Sequence, residues 1–427
     1  MRISLWPHLI KIVVGIVLSA QLWACGDPNT SQKEVPPLSA ATLLGNPDYP
    51  AISYGGYRAT SREIQPTMEQ LKNDLRILYA LGYRLLRTYN LQFEHTPNLI
   101  RAIAQMKEEY PDFEMYLMLG AWMDCKNAWT AHPNHSQENE DNNRLEIERA
   151  IKLTNQYPDI IKIISVGNEA MVHWATSYYV QPKVILKWVN YLQKLKLEGK
   201  LPKDVWITSS DNFASWGGGD SSYHKEDLTQ LIKAVDFLSV HTYPFHDSHY
   251  NPGFWLEEKS LDSLSIEKRV DAAMERALAH ATAQYEAVKD YLASLNIQKP
   301  IHIGETGWAS VSKGIYGASG SHAADEYKQA LYYKKINQWS KENNVTTVYF
   351  SAFDEPWKDP SGPSATENNF GLFTVDGKAK YALWEDVERG VFDGLSREDN
   401  GQKVRRSFDG KKQDVWATVL TPKTKAQ

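Results

Sequence analysis

Short apolar runs alternate with longer amphipathic segments along most of this chain. The runs have the length of strands and end in glycine or polar residues, as buried parallel strands do. The segments between them carry apolar residues at helical spacing, most regularly at Val270, Ala273, Met274, Ala277 and Leu278. Strands that alternate with helices predict a parallel sheet joined by helical crossovers.

The alternation repeats eight times, which predicts an α/β protein with a (β/α)8 barrel. A doubly wound open sheet is the alternative. No Gly-x-Gly-x-x-Gly motif follows a predicted strand, and this disfavours the open sheet. The predicted strands lie near residues 51–54, 83–89, 113–119, 160–166, 205–209, 237–240, 301–303 and 347–350.

The start of the chain has a different pattern. A positively charged beginning precedes an apolar run at residues 12–20, and a Leu-x-Ala-Cys sequence then ends at Cys25. This arrangement is typical of a signal peptide and resembles the bacterial lipoprotein signal, in which Cys25 becomes lipidated. Ordinary signal cleavage nearby is the alternative. An Asp directly after the lipidated Cys would resemble an inner-membrane retention signal. Residue 26 is Gly instead, so we expect an anchor in the outer membrane or at the cell surface.

These patterns divide the chain into four predicted segments. Residues 1–25 form the signal peptide, and the polar residues 26–46 form a tether. Residues 47–385 form the barrel. Residues 386–427, which are polar and contain two short β-like runs, form a C-terminal appendage such as a small hairpin.

Composition and charge limit the kinds of partner, disulfide and metal site that the sequence predicts. The 427 residues carry a net charge of −5 without any block of like charge, which indicates no nucleic-acid partner. With Cys25 lipidated, Cys125 is left alone and reads as a packed small hydrophobe rather than half of a disulfide. We expect a monomer without a cofactor. The pairs His132/His135 and His246/His249 have metal-ligand spacing but lie in polar loops, so we interpret them as surface histidines.

Two glutamates end predicted strands. Glu169 follows Asn168 at the end of the fourth strand, and Glu305 lies in a Gly-Glu-Thr-Gly sequence that ends the seventh. In a barrel both would face the same rim, where the chemistry of such folds takes place. Paired carboxylates are what a glycosidase needs, roughly 5 to 5.5 Å apart for retention and farther apart for inversion. Asn168 is suited to bond a sugar hydroxyl, plausibly the 2-OH.

A set of motifs in this order resembles glycoside hydrolase family 17, the β-1,3-glucanases, within the retaining clan of (β/α)8 glycosidases. The motifs are Tyr-Gly at 54–55, Arg-Thr-Tyr at 87–89, Val-Gly-Asn-Glu at 166–169, Gly-Glu-Thr-Gly-Trp at 304–308, Phe-Asp-Glu-Pro-Trp-Lys at 353–358 and Glu-Asn-Asn-Phe-Gly-Leu-Phe at 367–373.

The resemblance implies a retaining, endo-acting hydrolase of laminarin-like β-1,3-glucan. It implies that Glu169 is the acid/base and Glu305 the nucleophile. It further implies that a charged group lies beside the nucleophile and that four aromatic residues line the cleft. The charged group consists of Glu355, Lys358 and Glu367, and the aromatic residues are Tyr54, Tyr89, Tyr243 and Trp308.

Three alternatives stay open. A transglycosylase would use the same two glutamates, with a sugar hydroxyl in place of water. A surface glycan-binding protein would need neither carboxylate, and a hydrolase of another β-glycan linkage would have the same motifs. Tryptophans at or after strand ends are expected to provide two or three sugar platforms, the others being core residues; they are Trp122, Trp174, Trp216, Trp255 and Trp357.

Overall fold

A computed structural model describes residues 38–398 and 401–425 of the chain. The predicted signal peptide and the lipidation site Cys25 lie outside the described residues, and both stay predictions. The chain from Leu38 to Gln427 forms one unit. None of the described helices is both long and apolar enough to cross a membrane.

Eight parallel strands close into a barrel. The strands of the described residues are β1 (Ala51–Ser53), β2 (Leu85–Arg87), β3 (Tyr116–Ala121), β4 (Cys125–Lys126), β5 (Asn134–Glu138), β6 (Ile161–Asn168), β7 (Trp206–Asn212), β8 (Leu238–His241), β9 (Ile301–Gly307) and β10 (Thr347–Phe350). The barrel order is β1-β10-β9-β8-β7-β6-β3-β2. The pairing of β1 with β10 closes the sheet, so the (β/α)8 prediction is confirmed and the open sheet is excluded.

Helices cover the outside of the barrel. They are α1 (Ala40–Leu43), α2 (Met68–Ala80), α3 (His95–Glu109), α4 (Glu140–Gln156), α5 (Pro182–Leu197), α6 (Glu226–Ala234), α7 (Pro244–Tyr250), α8 (Ile266–Ser294), α9 (Glu326–Asn343), α10 (Trp384–Glu388) and α11 (Lys412–Trp416). α2 begins at a capping box in which Thr67 and Gln70 exchange hydrogen bonds of 3.2 and 2.9 Å. The apolar period predicted for α8 continues to Leu292.

The base of the barrel is closed by α1. Ala40 and Leu43 are fully buried and pack with Leu85, Met118 and Ile163, which come from three barrel strands. The segment 38–46 was assigned to the tether from its sequence. In the structure it belongs to the floor of the barrel, because its short apolar helix covers side chains that would otherwise face water.

The C-terminal segment is packed into the side of the barrel. Its described part forms short helical turns, α11 and isolated bridges, one of which pairs Ser396 antiparallel with Lys403, as in a small hairpin. Arg397 is wholly buried, donates to Asp74 Oδ1 at 3.1 Å and lies over the ring of Phe353 at 3.9 Å. Near the end of the segment, Lys425 N–H donates to the carbonyl of Glu257 at 2.9 Å. Arg397 and Lys425 therefore attach the segment to the barrel.

An unpredicted hairpin lies beside the mouth of the barrel. β4 and β5 pair antiparallel within a stretch that sequence analysis treated as a polar loop. His135 of β5 stacks on Tyr179 with ring centroids 3.7 Å apart, and Glu138 accepts a hydrogen bond of 2.8 Å from the indole of Trp188. The hairpin (residues 125–138) is therefore attached to the segment that follows Glu169.

Candidate active site

Both glutamates follow an irregularity in their strand. In β6 the pairing with β7 shifts between Ser165 and Asn168, where Gly167 has φ +85° and Glu169 has φ +47°. In β9 the pairing with β8 shifts just before Glu305. A bulge of this kind re-aims the following side chain, and a left-handed Glu169 is a strained position of the sort found at functional sites.

Glu305 is held by several donors at once. Its Oε1 accepts a hydrogen bond of 2.6 Å from the Tyr243 hydroxyl, and its Oε2 accepts one of 2.9 Å from Tyr89. Arg87 forms a buried ion pair with the same Oε2. The arginine also donates to the carbonyl of Gly304 at 3.1 Å. The carboxylate is thus fixed in position and charge.

These contacts decide the charge state of Glu305. Burial alone would raise the pKa of this carboxyl group. The charge of His241 in its protonated form, the charges of Arg87 and Lys358 and the hydrogen bond from Tyr243 oppose burial and lower the pKa below its usual range. Glu305 is therefore ionised at any pH near neutrality, as a nucleophile must be.

Glu169 has a sparser environment. In the part of the chain that the structure describes, its carboxylate has one hydrogen-bond partner, the Nδ1 of His241 at 3.1 Å. Its backbone N–H donates to Ser210 at 2.9 Å, and Met171 N–H donates to buried Asp211 at 2.7 Å. Backbone contacts fix the loop, and one carboxylate oxygen stays available to a ligand.

The predicted charged group is present in part. Lys358 Nζ lies 3.5 Å from Glu355 Oε2 and 4.1 Å from the centre of the Phe350 ring. Glu355 fits because Gly55 has no side chain; a Cβ there would lie 1.8 Å from its Oε1. Glu367 lines the same cleft.

The glutamates share one cleft of about 1060 Å³. At one end, Trp129 stacks on Tyr178 with ring centroids 4.9 Å apart and on Trp122 at 6.2 Å. We call these three side chains the aromatic platform. At another edge, Arg62 covers the Trp357 ring at 4.3 Å. The cleft thus combines flat apolar faces with polar groups at its centre.

The strand-end tryptophans divide into residues that line the cleft and residues of the core. Trp122, Trp174 and Trp357 line the cleft, whereas Trp216 and Trp255 are fully buried. Trp129, on the hairpin, lies in a mostly polar stretch of sequence and was not predicted to line the cleft. Its backbone has φ +63°.

Trp308, predicted to line the cleft, lies in the core. It is fully buried and donates its indole N–H to Ala323 at 2.8 Å. Thr306, near the end of β9, and Trp308, just after that strand, both contact Tyr332 of α9. Trp308 therefore faces the helices, as Thr306 does, and not the cleft.

Other predicted residues lie in the cleft with different degrees of access. Tyr54 borders the cleft but is buried, and its hydroxyl donates to Asp74 at 2.9 Å. Asn168 also borders it, and its Oδ1 accepts from Arg87 at 2.5 Å. Cys125 is a buried free thiol. His246, interpreted as a surface residue, lines the cleft and contacts the Tyr316 hydroxyl at 3.1 Å.

Two central residues were not identified from sequence as site residues. Arg87 appeared only as part of a motif, and His241 only as the residue that follows the sixth strand. Their partners are distant in sequence, 218 positions from Arg87 to Glu305 and 72 from His241 to Glu169. Arg87 and His241 could have been identified from their positions at the ends of β2 and β8, close in sequence to Tyr89 and Tyr243.

Arginine, histidine and two glutamates at the carboxyl ends of barrel strands define a (β/α)8 glycoside hydrolase. The comparison with known families agrees. Residues 51–371 match the BtgE/BtgC glycoside hydrolase domain, and the chain belongs to that family. The resemblance to the β-1,3-glucanases is thereby confirmed.

Similar proteins include one solved structure of nearly equal length. An endo-laminarinase from Formosa Hel1_33_131 is 57% identical, covers 91% of this chain and 99% of its own, and has a TM-score of 0.89. A basic vacuolar glucan endo-1,3-beta-glucosidase of Nicotiana tabacum is 25% identical over 261 residues. That match spans 56% of this chain and 65% of the relative, less than two thirds of its length.

A more distant structure shows the fold alone. The β-1,3-glucanosyltransferase of Rhizomucor miehei is 22% identical, covers 78% of this chain and 96% of its own, and has a TM-score of 0.52.

Proposed function

We propose that this protein is a retaining, endo-acting hydrolase of laminarin-like β-1,3-glucan, with Glu305 as nucleophile and Glu169 as acid/base. One observation carries the proposal. The cleft contains two carboxylates in contrasting settings. Glu305 is bonded by Arg87, Tyr89 and Tyr243, whereas one oxygen of Glu169 has no partner among the described residues. Contrasting settings are how two carboxylates take different roles.

In the first step, a Glu305 oxygen attacks the anomeric carbon while Glu169 gives its proton to the departing glycosidic oxygen. The carbon–oxygen bond of the glucan breaks, and an ester bond to Glu305 forms. In the second step, Glu169 takes a proton from water, and the resulting hydroxide attacks the same carbon. Glu305 is released as a carboxylate, and the sugar keeps its β configuration.

The choice of substrate rests on the Formosa endo-laminarinase, which covers almost the full length of this chain at 57% identity. Endo action is supported by the cleft, whose lining includes both glutamates together with Trp122, Trp129 and Trp357. Sugar rings bind flat aromatic faces through their apolar C–H groups. Several aromatic faces in one cleft suit the binding of several successive sugar rings of a glucan chain.

Incubation of residues 26–427 with laminarin and linear β-1,3-glucan oligosaccharides tests the proposal. We expect products shorter than the substrate, mixed in size, with the β anomer formed first in proton NMR spectra. Release of glucose alone would contradict endo action, and first formation of the α anomer would contradict retention. Binding without turnover would favour the glycan-binding alternative.

The aromatic platform gives the transglycosylase alternative some support. Burial raises the pKa of Tyr178, and the nearby charge of Glu169 adds to this effect, while Trp122 and Trp129 pack on the Tyr178 ring. An acceptor sugar would replace water beside Glu169, and apolar rings there favour a sugar over water. Products longer than the starting oligosaccharide at high substrate concentration would support this second activity.

The proposed location is outside the cytoplasm, on a lipid anchor at Cys25. The support is the Leu-x-Ala-Cys sequence that ends the apolar run at residues 12–20. Expression of the full chain with a labelled fatty acid in a bacterial host tests it. We expect label in the wild type and none in Cys25→Ala, and an unlabelled wild type would contradict the anchor.

A further inference from the structure

We propose that two buried hydroxyls, those of Ser210 and Ser239, hold His241 as the neutral tautomer with its proton on Nδ1, aimed at Glu169. In this role the two serines are positioning residues that act on the acid/base through the imidazole. The proposal rests on the function proposed above for Glu169.

The three side chains form a continuous chain of hydrogen bonds. Ser239 Oγ lies 2.8 Å from Ser210 Oγ, and Ser210 Oγ lies 2.8 Å from His241 Nε2. On the other side of the ring, Nδ1 lies 3.1 Å from Glu169 Oε1. All three residues at the inner end are fully buried, so water does not compete for these contacts.

Arg87 determines the direction of this chain. One of its guanidinium nitrogens lies 3.4 Å from His241 Nε2, and a guanidinium only donates hydrogen bonds. Nε2 must therefore accept, and its fixed positive neighbour disfavours a proton there. Ser210 then donates its single proton to Nε2, and Ser239 donates to Ser210.

Strand β9, which pairs with β8, leaves room for the hydroxyls of Ser210 and Ser239. A Cβ on Gly304 would lie 1.9 Å from Ser239 Oγ and 2.5 Å from Ser210 Oγ. The residue before Glu305 is therefore restricted to glycine by the two hydroxyls. The close contact between Gly304 and the two hydroxyls therefore links β9, which carries Glu305, to the hydrogen bonds that hold His241.

The consequence concerns the two oxygens of Glu169. Because Nδ1–H donates to Oε1, the acid proton of Glu169 belongs on Oε2, the oxygen left free for the glycosidic bond. The charged groups around His241 are Glu169 on β6, Arg87 on β2, Asp211 on β7 and Glu305 on β9. Among them only Arg87 contacts Nε2.

The tautomer can be measured directly. Full-length protein labelled with ¹⁵N-histidine, with His241→Gln to assign the signal, reports which ring nitrogen carries the proton. We expect a proton on Nδ1 alone in the wild type and in the control Ser209→Ala. We expect the Nε2 signal to shift in Ser210→Ala, since that nitrogen loses its short hydrogen bond. A proton on Nε2, alone or in addition, would overturn the proposal.

Kinetics separate positioning from a structural role. A β-1,3-linked oligosaccharide needs the proton of Glu169 to release its leaving group, whereas a dinitrophenyl β-glycoside does not. We expect Ser210→Ala to lower kcat/KM about tenfold on the oligosaccharide, the worth of one hydrogen bond, and less than about twofold on the aryl glycoside. Ser239→Ala should follow with a smaller loss.

Equal losses on both substrates would indicate a structural defect and would overturn the proposal, as would unchanged activity on the oligosaccharide. Ser209→Ala, at a buried serine next to Ser210 on β7 whose hydroxyl has no partner among the described residues, should match the wild type on both substrates. If the wild type cleaves neither substrate, the proposed function fails, while the NMR measurement still decides the tautomer.

Discussion

Glu305 and Glu169 are almost equally buried, with side chains 10% and 16% exposed, yet their surroundings differ. Glu305 receives hydrogen bonds from Arg87, Tyr89 and Tyr243, whereas the Glu169 carboxylate has His241 as its single partner among the described residues. Burial therefore does not separate the two groups. The number and charge of their donors does, and this difference matches a fixed anion on one side and a proton carrier on the other.

The largest expected effect comes from removing the fixed anion. Glu305→Ala should lower the rate of β-1,3-glucan hydrolysis on the order of 10⁴-fold, because no glycosyl ester can form. The measurement is the release of reducing ends from laminarin, with a thermal melt to establish that the variant folds. Appreciable residual hydrolysis in a folded variant would end the comparison, since Glu305 would not be the nucleophile.

Removing the proton carrier should have a different signature. Glu169→Ala should lose about 10³-fold on glucan, the usual worth of a general acid, but should still form the glycosyl ester from a dinitrophenyl glycoside. Azide should then intercept that ester and give a β-glycosyl azide, detected by NMR. The Glu305→Ala variant should give the α-azide. A β-azide from both variants would remove the distinction between the two glutamates.

The donors around Glu305 can be weakened one at a time. Tyr243→Phe removes a hydrogen bond of 2.6 Å to Oε1, so the pKa of Glu305 should rise by about one unit. Because the nucleophile must be ionised, the acidic limb of the kcat/KM profile should move to higher pH. Tyr332→Phe is the matched control, since its hydroxyl bonds Thr306 on the outer face of the same strand. A profile unchanged in Tyr243→Phe would contradict the role of the donors.

The smallest effect tests the side of the cleft beyond Glu169. Trp129→Asn removes the outermost ring of the aromatic platform and keeps a residue type that tolerates φ +63°. We expect kcat/KM to fall about fivefold on long glucan chains and to stay constant on the shortest cleaved oligosaccharides. Leu197→Ala, at the far end of α5, is the control. Equal losses on short and long chains would place Trp129 outside the substrate path.

Much of the fold could be predicted because each barrel strand is a buried apolar run between helices of clear period. The runs at 301–303 and 347–350, for example, lie within β9 and β10. The hairpin could not be predicted, since β5 reads Asn-His-Ser-Gln-Glu and has no alternation. It forms because its histidine stacks on Tyr179, a contact that no local pattern encodes.

The candidate site shows the same division. Glu169 and Glu305 could be selected because both stand at strand ends, where barrel chemistry takes place. Trp308 was misplaced because Glu305 faces the cleft and the alternation of side chains after Glu305, which turns Thr306 and Trp308 toward α9, was not applied. The position of Arg87 against Glu305 depends on closure of the barrel, which brings β2 and β9 together in space.

The ion pair between Asp74 and Arg397 has a consequence for how the protein is made. Its partners are 323 positions apart, so the ribosome has already synthesised the eight strands before Arg397 emerges. Until then Asp74, which lies in α2, lacks its buried C-terminal partner Arg397. Contacts this far apart slow folding, and the nascent barrel stays unfinished through most of its synthesis.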